Sequence, residues 1–137
     1  MPNVLRWGLA ALTLSATATI AAPATVASMQ WQRRVLLVSS PDRSDPRLEA
    51  QRKALDGWAR DARDRDVTVV RIVGDRVEGA ADAAADLRRR YELPGDRFAV
   101  ALVGKDGTVA VRSDKPVVAA SLTRTIDAMP MRRAGQR

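Results

Sequence analysis

The stretch Phe98-Ala99-Val100-Ala101-Leu102-Val103-Gly104-Lys105-Asp106-Gly107-Thr108-Val109-Ala110-Val111-Arg112 decides the fold. Its first part is a continuous apolar run, Phe98 to Val103, and its last part, Thr108 to Arg112, alternates. An unbroken run suits a strand covered on both faces, and an alternating one suits a strand covered on a single face. An Asp-Gly turn between two such runs closes a hairpin, here through Gly104–Gly107, a loop slightly longer than the two-residue minimum. The hairpin is antiparallel, and its second member is expected at a sheet edge.

Further strands lie upstream. Val67-Thr68-Val69-Val70-Arg71-Ile72-Val73 is β-branched almost throughout and is closed by Gly74-Asp75. Val35-Leu36-Leu37-Val38 follows Arg33-Arg34, is ended by Ser39-Ser40-Pro41, and reads as a central strand. Between these two, Asp45-Pro46 supplies an N-cap and a first-turn proline, and Leu48, Leu55, Trp58, Ala59 and Ala62 recur at helical spacing. The opposite face of that helix carries Glu49/Lys53, Asp56/Arg60 and Asp61/Arg65, solvated pairs with no catalytic role claimed for them. An alanine-rich helix is expected from about Gly79 to Tyr91, acidic early and basic late, stopped by Leu93-Pro94-Gly95. A last helix carries Val117, Val118, Leu122, Ile126 and Met129, and Met129-Pro130 ends it before Arg132-Arg133 and a polar tail over 134–137. The order is β-α-β-α-β-β-α. A right-handed crossover makes the first two strands parallel and the hairpin adds an antiparallel strand. The expectation is an α/β domain with a four-stranded mixed sheet, thioredoxin-like in arrangement.

The chain has 137 residues, enough for one domain, and 46% of them are apolar, enough for a layered core. It contains no cysteine and no histidine, which excludes thiol–disulfide exchange, imidazole acid–base chemistry and nearly all nitrogen- or sulfur-ligated zinc sites. The formal net charge of +7 favours acidic partners, although a charged shell that keeps the domain soluble is the plainer explanation. Nucleic acid is disfavoured, because aromatics make up only 4% and no stacking platform or zinc module is legible.

At the N-terminus, Arg6 precedes the uncharged stretch Trp7 to Ile20, and small residues follow at Ala22-Pro23-Ala24 and Thr25-Val26-Ala27. This is the pattern of a signal peptide over residues 1–24, with cleavage as late as 27 as the alternative. The stretch is too short and too diluted by Thr and Ser for a membrane anchor. The expected location is periplasmic or secreted, with no membrane span after cleavage.

The segment from about Trp31 to Arg133 resembles a family of small exported domains of unknown function, the P-DUDES, with relatives inside extracellular proteins of the Equarin and sushi-repeat type. The residues that carry the resemblance are Asp45-Pro46-Arg47, Phe98-Ala99-Val100, Val103-Gly104-Lys105-Asp106-Gly107, Arg112-Ser113-Asp114 and Ile126-Asp127-Ala128-Met129-Pro130-Met131-Arg132-Arg133, the last being the most specific. The resemblance implies a thioredoxin-like domain over 31–133 and supplies no activity. Where thioredoxin-like enzymes carry their redox cysteines, this chain reads Ser39-Ser40-Pro41-Asp42-Arg43-Ser44-Asp45-Pro46. The proline that such folds set in cis before the third strand has its nearest counterpart in Pro94.

Two binding surfaces follow for a non-catalytic module with no cofactor. In one, free N–H groups at the start of the first helix join Ser40, Arg43 and Ser44 to hold an anion, against which Asp45 competes as the cap. In the other, Lys105, Arg112 and Lys115 join Arg132 and Arg133 to meet an anionic ligand or a protein partner, although basic residues near an edge strand also serve to block edge pairing. The enzymatic alternative would use Asp42 and Asp45 beside Ser39 and Ser40, with Mg²⁺ or Ca²⁺, on a substrate of unknown class. No phosphate loop, nucleophile elbow or EF-hand accompanies them.

Overall fold

The computed structural model describes residues 22–135. Most of the expected signal peptide, residues 1–21, lies outside the described residues, as do 136–137. The strands are β1 (Arg34–Ser40), β2 (Val67–Val73), β3 (Arg76–Glu78), β4 (Ala99–Val103) and β5 (Val109–Ser113). The helices are α1 (Pro46–Ala54), α2 (Ala59–Asp64), α3 (Ala84–Arg90), α4 (Ala119–Asp127) and α5 (Pro130–Arg133), preceded by a 3-10 turn at Ala27–Met29.

The sheet has five strands in the order β3-β2-β1-β4-β5, which corrects the expected four. The additional strand is β3, paired antiparallel to β2 through Ile72↔Val77. Gly74, at φ +56°, makes the tight turn to it. With Val77 as its one apolar residue, β3 is too short to show a period in the sequence. As expected, β1 is central and parallel to β2, and β4 and β5 form an antiparallel hairpin with β5 at the edge; β4 itself pairs antiparallel to β1.

Two helices differ from their expected extent and one short helix is additional. The segment read as one helix over Leu48–Ala62 is broken into α1 and α2 by Gly57, whose φ of +77° is a left-handed conformation that favours glycine. Helix α3 starts at Ala84 instead of near Gly79, because β3 and its exit loop occupy the residues before it. Met129-Pro130 ends α4, as expected, but Pro130 also opens a further short helix, α5, so Arg132 and Arg133 are helical. The Pro94 peptide is trans, as are all peptide bonds among the described residues.

Alternation along β1 sends Val35 and Leu37 to one face and Leu36 and Val38 to the other. Val70, Ile72, Leu87, Tyr91 and Ala101 pack on the first face. Trp58, Phe98, Val100, Leu122 and Ile126 pack on the second. The first face is closed by Val26 and Met29, so the packed unit reaches upstream of residue 31. Helices α1, α2 and α4 cover the second face, where the Trp58 indole N–H donates to the Thr123 hydroxyl at 3.0 Å.

Candidate functional site

Chemistry-bearing residues gather at the two ends of the sheet. At the end where β1 finishes, Ser39 and Ser40 are fully buried. Arg88 of α3 is spread across this end. Its Nη1 donates to the Gly74 carbonyl at 2.6 Å, its Nε to the Ser39 hydroxyl at 3.1 Å and its Nη2 to the Ser40 carbonyl at 3.1 Å. The Ser40 hydroxyl donates to the Asp42 carbonyl at 2.8 Å and lies 3.2 Å from the Asp45 carboxylate. Asp45 caps α1 by accepting from the Arg47 N–H at 2.9 Å. Asp42 accepts from both the hydroxyl and the backbone N–H of Ser44, at 2.6 and 2.8 Å, and these bonds hold its carboxyl below the usual range. The hydroxyls of Ser40 and Ser44 and the first helical N–H are thus engaged by acceptors of the chain itself. Arg43 is exposed on a groove it shares with Glu49, Arg52, Arg71 and Glu78, whose charges are of both signs.

The five basic residues grouped as the second surface are spread over the molecule. Arg112 lies at the level of Leu37 in mid-sheet, donating to the Tyr91 carbonyl at 2.6 Å. Lys115 is exposed beyond β5, and Arg133 is exposed on α5. Arg132 turns back to Asp64, at 2.9 Å, and Asp127, at 3.5 Å. Lys105 is 4% exposed, with its ammonium 2.9 Å from Asp66. Lys105 and Arg132, with Arg133 beside it on α5, lie at the opposite end of the sheet, where β1 begins, and there Lys105 and Arg132 approach a residue that reads in the sequence as a flank, Arg34.

A pocket of about 240 Å³ opens at this end between the β4–β5 loop and the α4–α5 corner. Arg34, Lys105, Thr108 and Ala110 contribute to one side and Met129, Pro130 and Met131 to the other. Local chemistry builds each wall. A residue before proline is kept out of the helical region, so Met129 is extended, at φ −66° and ψ 141°, and the chain turns a corner that carries Met131 over the sheet end. Across from it, Asp106 accepts from the backbone N–H and the hydroxyl of Thr108, at 3.0 and 2.7 Å, which lowers its pKa and closes the loop. A register shift between Leu102 and Val103 leaves Ala110 as the extra residue of a bulge on β5, facing the pocket. Asp66, which reaches Lys105, is itself held at φ +52°, a conformation Asp tolerates better than most residues.

Arg34 is the unusual member. It is 1% exposed, and its parity along β1 puts it on the face of Leu36 and Val38. Its Nη1 donates to the Arg65 carbonyl at 2.7 Å, while its buried Nε has no acceptor. Among the described residues Nη2 has no hydrogen-bond partner and no carboxylate is paired with this guanidinium. Neighbouring charges are already engaged: Asp66 holds Lys105, and Asp127 binds Arg65 at 2.9 and 3.0 Å, which keeps the Asp127 carboxyl low. Burial, and then the approach of Arg132, lower the pKa of Arg34, while the charges of Asp66 and Asp127 act the other way without overcoming them. A buried cation with no directly paired carboxylate is destabilising, and an anion entering the pocket would relieve it.

The sequence contained one signal for this site. Arg34 directly precedes a strand covered on both faces, at even spacing from two residues that must be buried. Among the described residues there is no group of three or more acidic side chains placed to hold a metal ion, and no helix is long and apolar enough to cross a membrane. No solved structure matches the chain. Residues 25–135, which carry every element described above, match the family described as a domain of unknown function, DUF4174, and the chain belongs to that family.

Proposed function

We propose that this protein is an exported, non-catalytic binding module of thioredoxin-like build that takes an anionic group in the pocket at the Arg34 end of its sheet. The observation that carries the reading is the buried Arg34 guanidinium, which lacks both a carboxylate partner and an acceptor for Nε beside an open pocket. Lys105, also buried there, adds positive potential that Asp66 offsets. The thioredoxin-like description is supported by the parallel β1–β2 pair and the antiparallel β4–β5 hairpin beside it, with β3 as an addition at the far edge. Export is supported by the charged, apolar and small-residue succession over residues 1–24. At the Ser40 end, engagement of Ser40, Ser44 and the α1 N-terminus by Asp42 and Asp45 argues against an anion there.

An amide-shift titration of the isotopically labelled full chain with phosphate and with acetate tests the reading. Saturable shifts are expected at Arg34, at 104–110 and at 129–131, and Arg34→Met should abolish them in a chain that still gives a folded spectrum. Shifts confined to 40–47, or small uniform shifts that vanish when salt is raised, would overturn the proposal.

A further inference from the structure

We infer that the ligand of the Arg34 pocket is a monocarboxylate with a short apolar tail, its carboxylate on the guanidinium and its tail against Met129, Met131 and Ala110; this inference rests on the pocket being an anion site. Charge sets the first half. Lys105 already has Asp66 at 2.9 Å, so Arg34 is the pocket cation without a paired carboxylate, and because the Asp106 carboxylate also lines the pocket the site suits no more than a single negative charge. Geometry narrows the anion. With Nη1 given to the Arg65 carbonyl, the uncommitted edge of the guanidinium is the Nε–Nη2 edge, whose Nε is covered, so a carboxylate oxygen reaches it by displacing a covering group. Two parallel N–H groups on that edge match the two oxygens of a carboxylate.

The walls set the second half. Opposite the cation the pocket presents thioether, proline and methyl groups, which offer hydrogen bonds to nothing and area to an alkyl chain. Methionine side chains adapt to the shape of such a chain. The volume of about 240 Å³ corresponds to about eight waters at ~30 Å³ apiece, close to the size of hexanoate. A polyanion meets the opposite situation: Lys105 and Arg132 are already paired by Asp64, Asp66 and Asp127, and further negative charge would face these carboxylates and that of Asp106.

The test is a titration of the full chain with acetate, butyrate and hexanoate, and with phosphate and neutral hexanamide, read at the pocket amides. Affinity is expected to rise up to about fourfold for each added methylene as far as hexanoate, the gain for complete burial of the tail. Hexanamide should bind at least tenfold more weakly than hexanoate. If acetate and phosphate shift the pocket amides but lengthening the tail adds nothing, this inference falls and the anion site stands. If hexanamide binds as well as hexanoate, or if no anion shifts these amides, both fall. Arg34→Met should remove carboxylate binding. Because that residue is buried, the exposed Ala110 provides a second variant that leaves the guanidinium in place. Ala110→Phe fills the pocket, and it should weaken hexanoate at least tenfold with an unchanged melting temperature; unaltered hexanoate affinity in this variant would overturn the placement of the tail.

Discussion

At the scale of single residues, buried polar side chains set what the fold requires. Gln51, 1% exposed on α1, donates from its amide to the Val117 carbonyl at 2.9 Å and accepts from the Val117 N–H at 2.8 Å. Side-chain amide and peptide group satisfy each other, which fixes the segment leading into α4 against α1. Gln51→Leu keeps the volume and strands both Val117 groups, each a penalty of ~1–3 kcal/mol where water is excluded. Since Val117 is only partly buried, a loss of about 2–3 kcal/mol is expected in a denaturant titration; a loss below about 0.5 kcal/mol would mean that water replaces the amide. Gln51 was invisible in the sequence because a helical stripe is read from its apolar members. Arg34 was missed for a related reason: a basic residue ahead of a strand reads as an exposed flank, and nothing near it in sequence shows the distant Arg65 carbonyl that its guanidinium reaches. Lys105 is legible as a candidate, but its neighbours in sequence are carried away from it by the direction of β5, Arg112 to the level of Leu37 in mid-sheet and Lys115 beyond the strand's far end.

At the scale of elements, periodicity located what is long and apolar, and it failed where backbone geometry decided. β2 is bounded by Val67 and Val73, as its β-branched run indicates. The first helix was over-extended because Leu55, Trp58 and Ala62 face the core on both sides of the break at Gly57, so the apolar spacing crosses it unaltered. The β2–β3 hairpin carries a test of how tightly such geometry is set. Gly79, just after β3, has φ +93°, and a Cβ there would lie 2.5 Å from the Val69 carbonyl oxygen. Both the conformation and the contact oppose a side chain, and the contact is with backbone, which cannot swing aside. Gly79→Ala should destabilise by about 2–3 kcal/mol, whereas Gly57→Ala, with the same sign of φ but open space around it, should lose only the ~1–2 kcal/mol of a left-handed alanine. Equal melting temperatures for the two variants would show that β3 shifts to make room.

At the scale of the whole molecule, the sheet needs cover on both faces, and the first face receives part of it from residues ahead of the domain start read from the sequence. Val26 is 3% exposed and Met29 6% exposed, both in the core with Val35 and Leu37. The Val26 N–H donates to the Asp82 carboxylate at 2.8 Å, and the side chain of Gln30 holds the Asp106 carbonyl at 2.9 Å, tying this segment to both α3's approach and the pocket loop. The two cleavage positions that the small-residue pattern allows therefore differ physically. A chain beginning at Thr25 keeps Val26 and places its new ammonium one residue from the group bonded to Asp82. A chain beginning at Ser28 loses the buried valine and leaves Asp82 without that donor. The Ala24 carbonyl, which accepts from the Ala81 N–H at 3.1 Å, is lost in both, so the comparison isolates residues 25–27. Burial of a valine contributes ~1.5–3 kcal/mol and a hydrogen bond to a charged acceptor a similar amount where it is shielded. The Thr25 chain is expected to be more stable by about 3 kcal/mol in denaturant titration. Under the export proposed above, the same difference predicts that the processed protein has the intact mass of the chain from Thr25, because cleavage after Ala27 would remove a piece of the core. Equal stability of the two chains would mean that Met29 alone closes this face, and the position of cleavage would then be set by the processing enzyme without help from the fold.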